Sequence, residues 1–155
     1  MTYTVYVPPS PHTRVTAIRC RQLIAFMLIA NGLWDIASAT CICWGRCGWL
    51  SHIHLDILSM GDDYIEPLAV NAVGYWVLTN GCIRLLAGFR GDIGTEAGAF
   101  VTYIVEGIAF AITATGEDSG RGNWVAIASF VCAVGVGLRA CTGRDTRRVF
   151  PAEPV

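Results

Sequence analysis

Four stretches of the chain read as helices long and apolar enough to cross a lipid bilayer, and that expectation leaves few folds open. An apolar core of about 30 Å takes roughly 20 helical residues. The runs cover 18–43, 68–89, 97–115 and 123–141. Composition agrees, with 54% hydrophobic and only 15% charged residues, where a soluble domain carries about a quarter charged. Each run also holds polar residues, so none reads as a lone greasy anchor; helices of this kind turn their polar sides towards one another. A soluble helical bundle is the competing reading. It would need a wide polar face on each helix, which these runs lack. The expected fold is therefore all-α: an integral membrane four-helix transmembrane bundle at 18–143, with extended tails at 1–17 and 144–155.

Local chemistry marks the boundaries. Asp62, Asp63 and Glu66 precede Pro67, and acid followed by proline suits a helix start. Thr95 is placed to cap the third helix, with Glu96 in its first turn, and Gly116 and Gly143 to close the third and fourth.

Arginine placement sets the orientation. Arg14, Arg19 and Arg21 precede the first run, Arg90 separates the second from the third, and Arg139, Arg144, Arg147 and Arg148 end or follow the fourth. The other two connections are mostly acidic, with Asp56, Asp62, Asp63 and Glu66 in one and Glu117 and Asp118 in the other. The positive-inside rule then puts both termini on the inner side, and Trp44, Trp49 and Trp124 at the opposite interface. The membrane expected is a bacterial plasma membrane or an organellar inner or thylakoid-type membrane, with termini on the cytoplasmic, matrix or stromal side. All eleven basic residues are arginine and lysine is absent, which reads as a coding bias. A net charge of −1 gives no reason to expect nucleic acid as a partner. The acid-poor, arginine-bearing first 34 residues resemble a targeting composition, and read more simply as the positive flank of an uncleaved first helix.

Each helix carries one ionisable residue at some depth: Asp35, Arg84, Glu106 and Arg139. Counting about 1.5 Å per residue from the expected inner boundaries puts Asp35 at roughly 20 Å, Glu106 at roughly 14 Å, Arg84 at roughly 6 Å and Arg139 at roughly 3 Å. Arg139 then snorkels to the headgroups, and Arg84 snorkels too or reaches up to Glu106. Asp35 has no basic residue at its height and is left to Asn71, Tyr75, water or another subunit. The segments N-G-L-W-D (31–35) and N-G-C-I-R (80–84) align Asn31 with Asn80 and Gly32 with Gly81. Antiparallel helices are expected to hold these two motifs at different heights.

Small residues mark packing faces. Gly74, Gly81 and Gly88 recur every seven residues; Ala99, Gly107 and Ala111 flank Tyr103 at four-residue spacing; Ser129, Ala133 and Gly137 do so on the fourth helix. Such residues let backbones approach closely in lipid. A second constellation lies at 41–56, where Cys41, Cys43, Cys47, His52, His54 and Asp56 fall within sixteen residues. Thiolate and imidazole at short spacing suit zinc or copper. The spacing matches no standard zinc pattern, and Cys43, Cys47, His52 and His54 are the ligand candidates. A Cys43–Cys47 disulfide is the alternative. Seven cysteines are an odd number, so one stays unpaired within the chain.

No histidine falls within the four runs, which disfavours a transmembrane bis-histidine haem. No phosphate-binding loop, zinc-protease or serine-hydrolase motif is present. The chain is therefore expected not to be an enzyme. The leading expectation is a non-catalytic accessory or scaffold subunit of a larger membrane complex, partnered by the lipid bilayer and other membrane subunits. Bound lipid is expected and no cofactor. The alternatives are a small homo-oligomeric proton, ion or solute transporter using Asp35 and Glu106, and a metal- or thiol-dependent function at 41–56.

Overall fold

In the computed structural model the described residues are 11–44, His54, 67–113 and 119–147, and they are helical apart from the turn at Gly91 and Asp92. The elements are α1 (Pro11–Trp44), α2 (Pro67–Arg90), α3 (Ile93–Thr113) and α4 (Ser119–Arg147). The expected tails are partly helical: α1 starts at Pro11 rather than near 18, and α4 continues to Arg147, past Gly143. Proline suits a first helical turn, where its missing N–H is no loss, and this places the starts of both α1 and α2. The remaining tail residues, Cys47, Trp49, His52 and Gly116 lie outside the described residues.

Three helices contain segments long and apolar enough to cross a membrane: Val15–Trp44, Ile93–Ile112 and Asn123–Cys141. The fourth expected span, on α2, falls short because Asn71, Asn80 and Arg84 dilute its apolar content. Large apolar side chains face outwards on every helix, among them Leu23, Phe26, Phe89, Ile112 and Val131. A surface of this kind suits lipid rather than water.

The helices run up and down. Gly32 of α1 meets Gly81 of α2, and Gly88 meets Ile29, so this pair is antiparallel. In the second pair Gly107 faces Phe130 and Gly137 faces Phe100, again antiparallel. Two apolar clusters hold the bundle. One joins Leu28, Ala87, Ala99, Tyr103, Ala133 and Val136 across all four helices; the other joins Ala39 and Ile42 to Val73 and Val77. Helices α1 and α2 pack closely, as do α3 and α4, whereas α1 and α4 barely touch. The expected glycine faces are used: Gly74, Gly81, Gly88 and Gly107 are buried. Ala111 is exposed.

The tight α2–α3 turn departs from expectation. Gly91, at φ 59°, donates to the Ala87 carbonyl (3.1 Å) and closes α2, a left-handed conformation that glycine adopts without strain. Asp92, not Thr95, caps α3: its Oδ1 accepts from the Thr95 N–H at 2.9 Å and its carbonyl accepts from Glu96 N–H at 3.0 Å. The Thr95 hydroxyl itself donates to the Asp92 carbonyl. The backbone hydrogen bond from Thr95 holds the Asp92 carboxyl below its ordinary range. A carboxyl whose folded value is depressed stabilises above its unfolded value and loses that contribution as pH falls through the folded one. Asp92→Ala is therefore expected to lower the melting temperature in detergent at pH 7. The deficit shrinks towards pH 3, whereas a deficit constant with pH would refute a charged cap.

Candidate functional site

The ionisable residues that the sequence scatters over four helices form two compact groups. In the first, Arg84 of α2 reaches between α1 and α3. Its Nη1 donates to Asp35 Oδ2 at 2.7 Å, its Nη2 donates to Glu106 Oε2, and its Nε donates to the Thr102 hydroxyl at 3.2 Å. The guanidinium carbon lies 3.9 Å from the Tyr103 ring centroid, a cation–π contact. Asn31 Nδ2 donates to the Tyr103 hydroxyl at 2.8 Å, and Ser129 of α4 donates to Glu106 Oε2 at 3.4 Å. Arg84 is only 2% exposed, and both carboxylates are buried. In the second group Arg139 Nε lies 2.9 Å from Glu96 Oε1, both buried. Arg139 thus pairs inside the protein and does not snorkel, because Glu96, one turn into α3, stands opposite it on α4.

Asp35 therefore has a basic partner, against the expectation from helix depth. The Asn-Gly motifs meet rather than separate, since Gly32 and Gly81 sit against each other where α1 crosses α2. A Cβ on Gly81 would meet the Asp35 Cβ at 2.9 Å, and Gly32 faces Leu85. Arg84, three residues beyond Gly81, therefore lies roughly 4.5 Å below Asp35 along the axis, a gap that a long arginine side chain closes. The depth count failed because it fixed each helix by its assumed lipid boundary, and the true register is set by glycine contacts. Asn71 and Tyr75, proposed as partners for Asp35, are exposed. Asn80 is buried one turn from Arg84, and Asn31 serves Tyr103.

The seam between α1 and α4 is where the site opens. A cavity of about 310 Å³ lies there, walled by Asp35, Arg84, Glu106, His54, Trp34 and Trp124, with Cys132 and Ser129 also on its surface. His54 comes from the segment joining α1 to α2 and is 5% exposed. Its ring sits 6.4 Å from that of Phe110, tilted by 48°, and its Nδ1 is buried without a hydrogen-bond partner. Burial holds the imidazole below its ordinary range, which favours the neutral form with a free lone pair.

Of the thiol-rich metal candidates, only Cys43 and His54 are among the described residues. Cys43 packs against Gly74, about two turns beyond Asp35 on α1, whereas His54 joins Asp35 and Glu106. Cys47, and with it the Cys43–Cys47 alternative, lies outside the described residues. Tyr103, Thr102 and Ser129 join the site although no motif in the sequence marks them. Tyr103 and Ser129 stood only on packing stripes, and nothing in one-dimensional spacing shows which stripe faces a charge.

No protein-family model, no curated protein and no solved structure matches the chain.

Proposed function

We propose that the protein is a four-span membrane protein that binds a small ion or polar solute at the Asp35–Arg84–Glu106 cluster, with both termini on the inner side. The observation that carries this reading is a cavity of about 310 Å³ bordered by two carboxylates, a guanidinium and an imidazole in an otherwise lipid-facing bundle. Intramembrane ionisable residues facing a cavity mark ligand and ion sites, and a concave pocket with a few convergent polar groups is the usual form of a small-ligand site. The α2 crossing is supported by burial, since Arg84 and Asn80, which lower its apolar content, are hidden inside the bundle. The sidedness is supported by the arginine distribution. The cavity residues of α3 and α4 lie near the α3–α4 connection and His54 lies in the α1–α2 connection, so access is from the outer side. The accessory-subunit reading drew on the glycine faces, the tails, the absence of a catalytic motif and an unpartnered Asp35, and the last of these is met inside the chain by Arg84.

Water access to the cavity tests the reading. In a variant retaining Cys132 as its one cysteine, a charged thiol reagent added outside sealed vesicles is expected to label Cys132. The same reagent enclosed inside is expected not to. Protection from both sides would mean a cavity closed to water and would sink the proposal. Asp35→Asn should keep the fold, because Arg84 stays paired with Glu106, and should lose uptake of the ion. Normal assembly into a large complex with unchanged uptake would return the accessory-subunit reading instead.

A further inference from the structure

We propose that Asp35, His54 and Glu106 form a binding site for a divalent first-row transition metal ion, of the size and ligand preference of zinc or manganese. This rests on the reading of the cavity as a ligand site and names the ligand class. One donor atom from each of the three residues lies within 4.8 Å of the other two. Three donors about 2.0–2.2 Å from one tetrahedral ion stand roughly 3.3–3.6 Å apart, so the donors close by up to about 1.5 Å when the ion binds.

The imidazole is the independent observation. His54 is 95% buried, borders the cavity, and leaves Nδ1 without a hydrogen-bond partner. A buried polar nitrogen without a partner is costly, and one ring nitrogen of His54 lies within 4.8 Å of an oxygen of each carboxylate. A cation satisfies all three donors together. Imidazole with carboxylate ligands selects zinc, manganese or iron rather than calcium or magnesium, which take oxygen alone.

The surroundings fit the same assignment. Arg84 holds one oxygen of each carboxylate, and each carboxylate has a second. Ligating carboxylates are commonly oriented by such outer hydrogen bonds, and Ser129 adds another to Glu106. Three protein ligands also leave a coordination position facing the cavity, where water or an anionic group is held.

The experiment uses the full chain in lipid nanodiscs, loaded separately with Zn²⁺, Mn²⁺ and Co²⁺ and desalted. About one metal ion per chain is expected by elemental analysis, and Co²⁺ is expected to show d–d absorption bands. His54→Ala and Asp35→Asn should each weaken binding at least roughly tenfold, since losing even an outer-shell partner costs that much. His54→Ala alters a residue of the connecting segment, so it keeps the bundle intact if Asp35→Asn does not. Cys43→Ser should leave binding unchanged. No bound metal in the native protein, or binding that survives His54→Ala, overturns the proposal. Binding lost in Cys43→Ser and kept in Asp35→Asn also overturns it, in favour of the thiol-rich segment. Cys132 labelling separates the two failures. Labelled Cys132 without bound metal overturns the metal assignment and leaves the cavity reading standing; unlabelled Cys132 overturns both.

Discussion

Replacing Arg84 with leucine is expected to cost the folded bundle on the order of 3–5 kcal/mol, the usual consequence of removing one partner from a buried charge cluster. Arg84 touches Asp35, Glu106, Thr102 and Tyr103 at once and is almost fully buried. Leucine leaves two buried carboxylates facing each other without a cation. Arg84→Lys should recover only part of the loss, because an ammonium is a compact point charge that lacks the planar fork and its stacking on Tyr103. Replacing all three members by apolar residues of similar volume should restore much of the stability while abolishing any ligand binding. Unfolding in mixed micelles, followed by circular dichroism as denaturing detergent is added, measures each difference. An Arg84→Leu variant within about 1 kcal/mol of the native protein would contradict the buried cluster.

Gly32→Ala is expected to destabilise by roughly 1–3 kcal/mol, the range for overpacking a close contact. A Cβ on Gly32 would lie 2.8 Å from both the Gly81 carbonyl oxygen and the Leu85 nitrogen. Both are backbone atoms, so no side chain can swing aside and α1 must move away from α2. Separation of these helices also pulls Asp35 from Arg84, since the two flank the same crossing. Gly135→Ala is the control, because nothing lies within 4 Å of that position. There alanine should be neutral or should gain up to about 1 kcal/mol from helix propensity. The same micelle titration reads both. Equal behaviour at the two positions would mean that the Gly32–Gly81 contact is not close.

The two predictions concern one design. Small residues at Gly32 and Gly81 bring α1 and α2 together, and this proximity places the Asp35 carboxylate and the Arg84 guanidinium about one helical turn apart. Glycine packing and the charged cluster are thus two consequences of one register. The loose seam between α1 and α4 is the opposite case. Because those helices scarcely touch, charged groups that would otherwise be sealed in the core border a cavity.

The class of object and its main parts are legible in the order of residues along the chain. Four long helices, a lipid-like surface, glycine packing faces on α2 and α3, and Asp35, Arg84 and Glu106 as the residues to watch all follow from hydropathy, residue size and the cost of burying charge, which are local properties. Which of these residues meet depends on how the helices pack. Depth counted from a guessed boundary separated Asp35 from Arg84, because one-dimensional spacing carries no information on the register between helices. Contacts between Gly32 and Gly81 set that register. The same limit applies to His54: its cysteine neighbours in sequence suggested a thiol site, whereas the path of the chain carries its ring to Phe110 and the two carboxylates. Proximity along the chain is covalent and visible in the sequence; proximity across the bundle depends on how closely backbones approach.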